Sequence, residues 1–363
     1  MERTFEDWSE IFDSAQLFEF NGKKDGLVWL KVKAVSRKSI ISKFIAVANI
    51  KLQATKLKEM QEELYKLILR DPGLGHALDA FLKDRGNEWY RLKKVDEEQL
   101  RQDLNQITIY QWGGDRNNSL DRNLVEKYVK NISDYKSLLA QKNNIAMEAW
   151  AYVQNSWYNN WTSYLIESLF EKHTKVLSAV GEIKNVDFFI DDTPIDLKVT
   201  YYPKDLMSRQ LKEKLGVPLV TWLKQNARKA GIDVKALGTP SNLTEILCEK
   251  MNQAGLNAPL EQLNQIQNQI ITEAMDNSIE LMKWYYEKQG EMRFGAENRL
   301  FLVLIDVLDL NASWKMKRAF HVIEPIVKEY LDNFSVSKLK KIEFKYHNHF
   351  FHAFADSIFI VKR

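Results

Sequence analysis

The chain is poor in cysteine and has no long apolar run. Cys248 is its one cysteine, so the sequence excludes an internal disulfide framework and a cysteine-rich zinc site. The longest apolar stretch, residues 300–305, is far shorter than the roughly 20 apolar residues of a membrane helix. The acidic first segment, which includes Glu6 and Glu10, lacks the basic start and apolar run of a signal peptide. These absences predict a cytoplasmic protein without a membrane anchor.

An excess of charge of one sign is also absent. Lys and Arg number 52 and Asp and Glu number 49, which gives a formal net charge of +3. This balance does not by itself indicate a nucleic-acid-binding protein, so any basic surface must be found locally. Hydrophobic residues make up 45% of the chain, which also has ten tryptophans. That composition predicts a folded protein with a buried core rather than a disordered chain.

Helical patterns dominate the first half of the chain, and short β-prone runs begin after residue 172. Turn-forming residues separate these runs. A helix, a three-strand meander, further helices, a strand and another helix make an α/β order. The predicted helices include residues 40–69, 119–142, 146–172, 243–287 and 319–334, and the predicted strands are 27–32, 107–110, 176–180, 186–190, 195–201, 299–308, 342–346 and 357–361.

Three charged side chains lie in β-prone runs that are otherwise apolar. Side chains alternate along a strand, so Asp196 and Lys198 share one face while Leu197 takes the other. If residues 191–194 form a four-residue hairpin loop, Asp187 lies opposite Lys198 and diagonal to Asp196. Diagonal pairs have Cβ atoms about 7–8 Å apart, so the spacing predicts that both carboxylates can reach one ion.

Two carboxylates this close repel each other when ionised, and a divalent cation removes that repulsion. Oxygen ligands without a nearby histidine or thiolate favour Mg²⁺, with Mn²⁺ as a substitute. A neighbouring lysine can position water or offset charge that develops on phosphorus. The group formed by Asp187, Asp196 and Lys198 therefore predicts phosphodiester hydrolysis. The alternative is a cross-strand ion pair between Asp187 and Lys198 on an exposed sheet face.

This arrangement resembles the PD-(D/E)xK nuclease superfamily, which includes many type II restriction endonucleases. Eight residues separate Asp187 from the run Asp196-Leu197-Lys198, and Val186 stands where the motif has proline. The resemblance covers residues 157–308 by element order and implies a restriction-endonuclease-like core, a mixed β-sheet flanked by helices. It also implies a catalytic, metal-binding glutamate on the preceding helix, for which Glu167 is the match; a solvated glutamate at a helix boundary is the alternative.

Two further groups of polar residues could belong to a metal site. Glu182 precedes Lys184 by two positions, but no upstream acid matches it, so solvated turn charges are favoured and Glu182 is kept only as an accessory. His347, His349 and His352 do not have a usual zinc spacing. They are interpreted as partly buried loop histidines.

The resemblance predicts a mainly helical N-terminal region over residues 1–145, for DNA recognition or dimerisation. A nuclease core follows over residues 146–363, with a helical insertion at about 203–290. The predicted function is a Mg²⁺-dependent endonuclease, a type II restriction enzyme acting as a homodimer on double-stranded DNA. A phage-defence or DNA-repair nuclease, an RNA nuclease and an inactive nucleic-acid-binding protein remain alternatives. Basic residues after the meander predict DNA contacts, with solvated surface charges as the alternative: Lys204, Arg209, Lys212, Lys214, Arg228 and Lys229.

Overall fold

The structure, a computed structural model, describes residues 3–14, 16–92, 95–108, 110, 119–183, 185–234, 243–288 and 298–362. The part before the meander is helical, as predicted. No helix among these residues is both long enough and apolar enough to cross a membrane. The helices are α1 (Phe5–Asp13), α2 (Lys24–Ala34), α3 (Lys38–Ala48), α4 (Leu57–Arg70), α5 (Pro72–Leu92), α6 (Glu97–Leu104), α7 (Leu120–Leu124), α8 (Tyr135–Ala140) and α9 (Lys142–Glu171).

Two early strand predictions and two helix predictions are wrong; the predicted helix at 119–142 is divided into α7, a π-helical turn (Val125–Val129) and α8, with a break near residues 131–134. Residues 27–32 belong to α2, which is buried on most sides and so lacks the polar face that separates a helical from a strand period. Residues 107, 108 and 110 form no strand, and residue 109 lies outside the described residues. The predicted helix at 40–69 is two helices, because α3 ends at Asn49, whose backbone is left-handed (φ 51°).

The mixed α/β class is confirmed. In the described part of the chain, six strands are hydrogen-bonded in the order β1-β2-β3-β4-β6-β5. The strands are β1 (Val176–Ile183), β2 (Val186–Ile190), β3 (Thr193–Tyr201), β4 (Asn298–Asp306), β5 (Lys340–Tyr346) and β6 (His349–Lys362). The later helices are α10 (Lys204–Leu215), α11 (Leu219–Lys229), α12 (Leu243–Gln253), α13 (Asn257–Asp276), α14 (Ile279–Glu287) and α15 (Phe320–Asp332).

The chain divides into two compact units. The first comprises Met1–Leu197, Gln289–Asn298 and Lys317–Val336, and the second comprises Lys198–Lys288, Arg299–Met316 and Ser337–Arg363. Residues 1–145, predicted as a separate N-terminal region, lie within the first unit together with β1 and β2. Most of the predicted insertion at about 203–290 lies in the second unit.

Within the first unit, both faces of the meander are covered by apolar side chains. Phe188 of β2 stacks on Phe170 of α9, with ring centroids 5.2 Å apart. Its neighbour Phe189 points to the opposite face and belongs to a core cluster built mainly from α1 to α5. Lys83 of α5 donates hydrogen bonds to three main-chain carbonyls between the end of α9 and β1, at 2.6, 2.7 and 3.0 Å. Burial lowers the pKa of Lys83.

The close approach of α5 to β1 leads to a test of this packing. A Cβ atom added at Gly86 would lie 2.9 Å from Ser178 Cβ, whereas one at Gly75 of the same helix would meet ordinary contacts at 3.5 Å. Gly86→Ala should therefore lower the free energy of unfolding by about 1–3 kcal/mol through overpacking. Gly75→Ala should leave stability unchanged or raise it by about 0.5–1 kcal/mol. Urea denaturation of both variants checks this; equal stability of the two would contradict the packing.

Candidate active site

The hairpin between β2 and β3 has a two-residue turn rather than the predicted four-residue loop. Asp191 and Asp192 form the turn with φ values of 43° and 63°, as a type I′ turn requires. Aspartate tolerates this left-handed backbone better than most residues. The register pairs Ile190 with Thr193 and Phe188 with Ile195.

This register corrects the predicted position of Asp187. The last observed pair is Phe188 with Ile195, and one further pair in the same register would place Asp187 across from Asp196. The prediction that Asp187 lies opposite Lys198 is therefore wrong. The shorter turn moves β3 by two residues, and a shift of two keeps every side chain on its predicted face. In this continued register the two aspartates face each other rather than lying diagonal.

Asp187 lies where β2 leaves the regular ladders. The β1–β2 register shifts between Ser178 and Ile183, and the paired residues of β2 and β3 end at Phe188 and Ile195. The Asp187 Oδ2 atom accepts a hydrogen bond of 2.8 Å from the main-chain N–H of Leu197. This bond holds the Asp187 carboxylate beside the residue that follows Asp196. Such irregularities often re-aim a side chain at a functional site.

The three predicted residues differ sharply in exposure. Asp196 has 4% of its surface exposed, Asp187 is half-buried and Lys198 is exposed. A buried carboxylate needs a partner to offset the cost of removing its charge from water. Lys198 follows Asp196 by two positions in β3 and so points to the same side of the strand.

Glu167 does not complete a three-carboxylate group with the aspartates. Among the residues that the structure describes, no three His, Cys, Asp or Glu side chains are placed so that they could hold a metal ion. Glu167 is half-buried in α9, and this helix contacts β2 through the stacking of Phe170 on Phe188. Glu167 stays a prediction as a metal ligand. Glu182 lies in β1, but its side chain is outside the described residues.

Lys31 anchors the turn of this hairpin, a role that the sequence does not indicate. Its ammonium group is 2.8 Å from an Asp79 carboxylate oxygen and 2.6 Å from Asp192. Burial alone would lower the pKa of Lys31, but the charge of Asp79 and hydrogen bonds to both aspartates raise it above its ordinary value. Lys31 therefore stays charged. Because 161 positions separate Lys31 from Asp192, no local pattern could reveal the contact.

The predicted DNA-contacting residues fall into two groups. Arg209 is paired with Glu280 and stacks over Trp284, and Lys214 is 2.8 Å from Glu273. These two cations are already neutralised within the second unit. The others are exposed and have no ion pair with any residue in the described part of the chain: Lys204, Lys212, Arg228 and Lys229.

Comparison with known proteins gives no family for this chain. No protein-family model, no curated protein sequence and no solved structure matches it. Any function must therefore be argued from the residues of this chain and their geometry.

The hydrogen bond from Leu197 predicts how variants of Asp187 behave. Asp187→Ala leaves the N–H of Leu197, a buried residue, without its acceptor, and should lower the free energy of unfolding by about 1–3 kcal/mol. Asp187→Asn keeps an oxygen acceptor and should recover most of that loss. Chemical denaturation of the two variants measures the difference. If both are as stable as the wild type, the hydrogen bond does not hold β3 in place.

Proposed function

We propose that this chain is a metal-dependent DNA endonuclease with a restriction-endonuclease-like core, in which Asp187 and Asp196 hold the metal. The proposal rests on the end of the β2–β3 ladder, where Asp187 accepts the Leu197 N–H and the register, continued by one pair beyond Phe188 and Ile195, sets Asp187 across from Asp196. Directly opposed like charges are unfavourable. A pair of this kind on a mostly apolar hairpin fits a site built to hold a cation.

The donor atoms fit magnesium. Magnesium usually keeps several water ligands and is bound by one or two protein carboxylates together with substrate phosphates, so a third carboxylate is not required. The Leu197 N–H donates to one oxygen of Asp187, and this bond orients the carboxylate before a metal ion binds. A carboxylate oxygen can accept more than one partner. When bound, Mg²⁺ or Mn²⁺ would offset the two negative charges and polarise a water molecule.

Lys198 supplies the positive charge that this chemistry needs. Hydrolysis joins a water oxygen to phosphorus and breaks the bond from phosphorus to the sugar oxygen, which leaves with a proton. Negative charge grows on the phosphoryl oxygens as the new bond forms. The exposed ammonium group of Lys198, on the same side of β3 as Asp196, can donate to the attacking water or to a phosphoryl oxygen.

Double-stranded DNA is the proposed substrate. Lys204 and Lys212 of α10, with Arg228 and Lys229 of α11, are exposed cations without ion pairs among the described residues. Such cations neutralise backbone phosphates and hold a duplex in register. Arg209 contributes less, because Glu280 already offsets its charge.

We place this enzyme in the cytoplasm and assign it a restriction role as a homodimer, with phage defence and DNA repair as competing roles.

Support for the dimer comes from α9, where Met147, Trp150 and Val153 are more than half exposed. Their spacing of three residues puts them on one side of the helix. An exposed apolar stripe of this kind is typical of a surface that contacts another protein.

An inactive nucleic-acid-binding protein is the second candidate. The Leu197–Asp187 hydrogen bond favours it, because this bond gives Asp187 a structural role that needs no metal. The candidate assigns no function to the buried carboxylate of Asp196. Cleavage assays separate the two functions.

The cleavage prediction concerns Asp196 and the metal. Wild-type protein should cut plasmid DNA with Mg²⁺ or Mn²⁺, whereas Ca²⁺, which prefers more ligands at longer distances, should support binding without efficient cutting. Asp196→Asn should abolish cutting and leave DNA binding intact or stronger, because one negative charge near the phosphate is removed. Gel analysis of plasmid and a mobility-shift assay measure both properties.

Lys198→Ala and Lys204→Ala form the matched pair for this assay. Lys198→Ala should slow cutting by about 10²-fold, as loss of one pre-organised electrostatic group commonly does. Lys204→Ala should change DNA affinity more than the cutting rate at saturating DNA. Cutting in the presence of a chelator, or cutting at the wild-type rate by Asp196→Asn, would contradict the proposal.

A further inference from the structure

The hairpin of β5 and β6 has one buried face and one exposed face. His347 and Asn348 form its two-residue turn, with φ values of 43° and 66°, so His349 and His352 lie in β6 and are exposed, not partly buried loop residues as predicted. The buried face includes Phe344, which stacks on Tyr286 of α14 at 4.6 Å. Opposed residues share a face, and three opposed pairs make up the outer face: Lys345 with Phe350, Glu343 with His352, and Lys341 with Phe354.

Phe350 is the most exposed large hydrophobic side chain that the structure describes, at 83%. It lies next to the turn and directly across from Lys345, at the short Cβ separation of about 4.5–5.5 Å that opposed strand residues have. An aromatic ring held in water beside a cation has two faces available for a planar partner.

The charges around Phe350 favour an anionic partner. The Lys345 side chain has no ion pair with any described residue, and its main-chain N–H donates to Glu287 Oε1 at 3.5 Å. Lys341 is paired with Glu343 at 2.8 Å, which leaves the Lys345 charge uncompensated on this face. His347, His349 and His352 add no negative charge. A partner with a flat ring and a nearby anion would match the pair formed by Phe350 and Lys345.

We propose that this outer face binds single-stranded nucleic acid, with Phe350 stacked on an unpaired base and Lys345 in contact with the adjacent phosphate. The inference rests on the proposed function for its class of ligand, although binding needs neither Asp187 nor Asp196. Base stacking on an aromatic ring tolerates any base, and a cation beside the ring follows the backbone; single-strand-binding surfaces combine these two features. Self-association and binding to a lipid surface are the alternative outcomes that the test must separate from nucleic-acid binding.

The test is fluorescence anisotropy of the full chain with labelled oligodeoxythymidine, oligouridine and a duplex, all in chelator so that no strand is cut. Phe350→Ala should weaken binding of both single strands by at least about fivefold, the loss expected for one base–aromatic stack, and Phe350→Trp should restore it. Lys345→Gln should reduce the slope of log affinity against log salt by about 0.7, the value for one phosphate contact on a single strand.

The controls are Tyr135→Ala, which removes another highly exposed aromatic ring, and Lys328→Gln, which removes an exposed cation of α15. Both should bind as the wild type does. The inference is overturned if the wild type binds neither single strand, if Phe350→Ala binds both with unchanged affinity, or if Phe350→Ala alters only self-association or vesicle binding. Because cleavage is not measured, an inactive metal site would leave this result unaffected.

Discussion

The two-residue turn between β2 and β3 is the constraint on which the arrangement of the proposed site depends. With both turn residues in the left-handed region, the hairpin closes through two residues, and its register, continued by one pair beyond Phe188 and Ile195, places Asp187 across from Asp196. A turn longer by one residue would send one of the two carboxylates to the opposite face. Lys31 holds this turn by its contact with Asp192, so a buried cation in α2 supports the register from outside the sheet.

Asp187 has a structural role beside the chemical role proposed for it. Its carboxylate accepts the Leu197 N–H at the point where the paired residues of β2 and β3 end. This bond fixes the position of the carboxylate beside β3. Asp196, by contrast, is fixed by burial within β3.

The strands of the meander could be predicted because their apolar residues are dense and turn residues separate them; β2 spans Val186–Ile190, as predicted. The register between β2 and β3 could not be predicted, because the sequence Asp-Asp-Thr-Pro does not distinguish a two-residue from a four-residue turn. The helix α2 was missed for a different reason: a segment buried on most sides shows no clear period. The exposure of His349 and His352 depends on a turn formed by His347 and Asn348, which contains no glycine to indicate it.

The central claim, that Asp187 and Asp196 together hold a divalent ion, is tested most directly by manganese binding in the absence of DNA. Electron paramagnetic resonance of free Mn²⁺ during a titration counts the bound ions, and Mg²⁺ added afterwards should release them. The account predicts one saturable site in the wild type that both Asp187→Asn and Asp196→Asn lose, while Asp191→Asn, in the turn of the same hairpin, keeps it. Wild-type binding by both Asp187→Asn and Asp196→Asn would contradict the account.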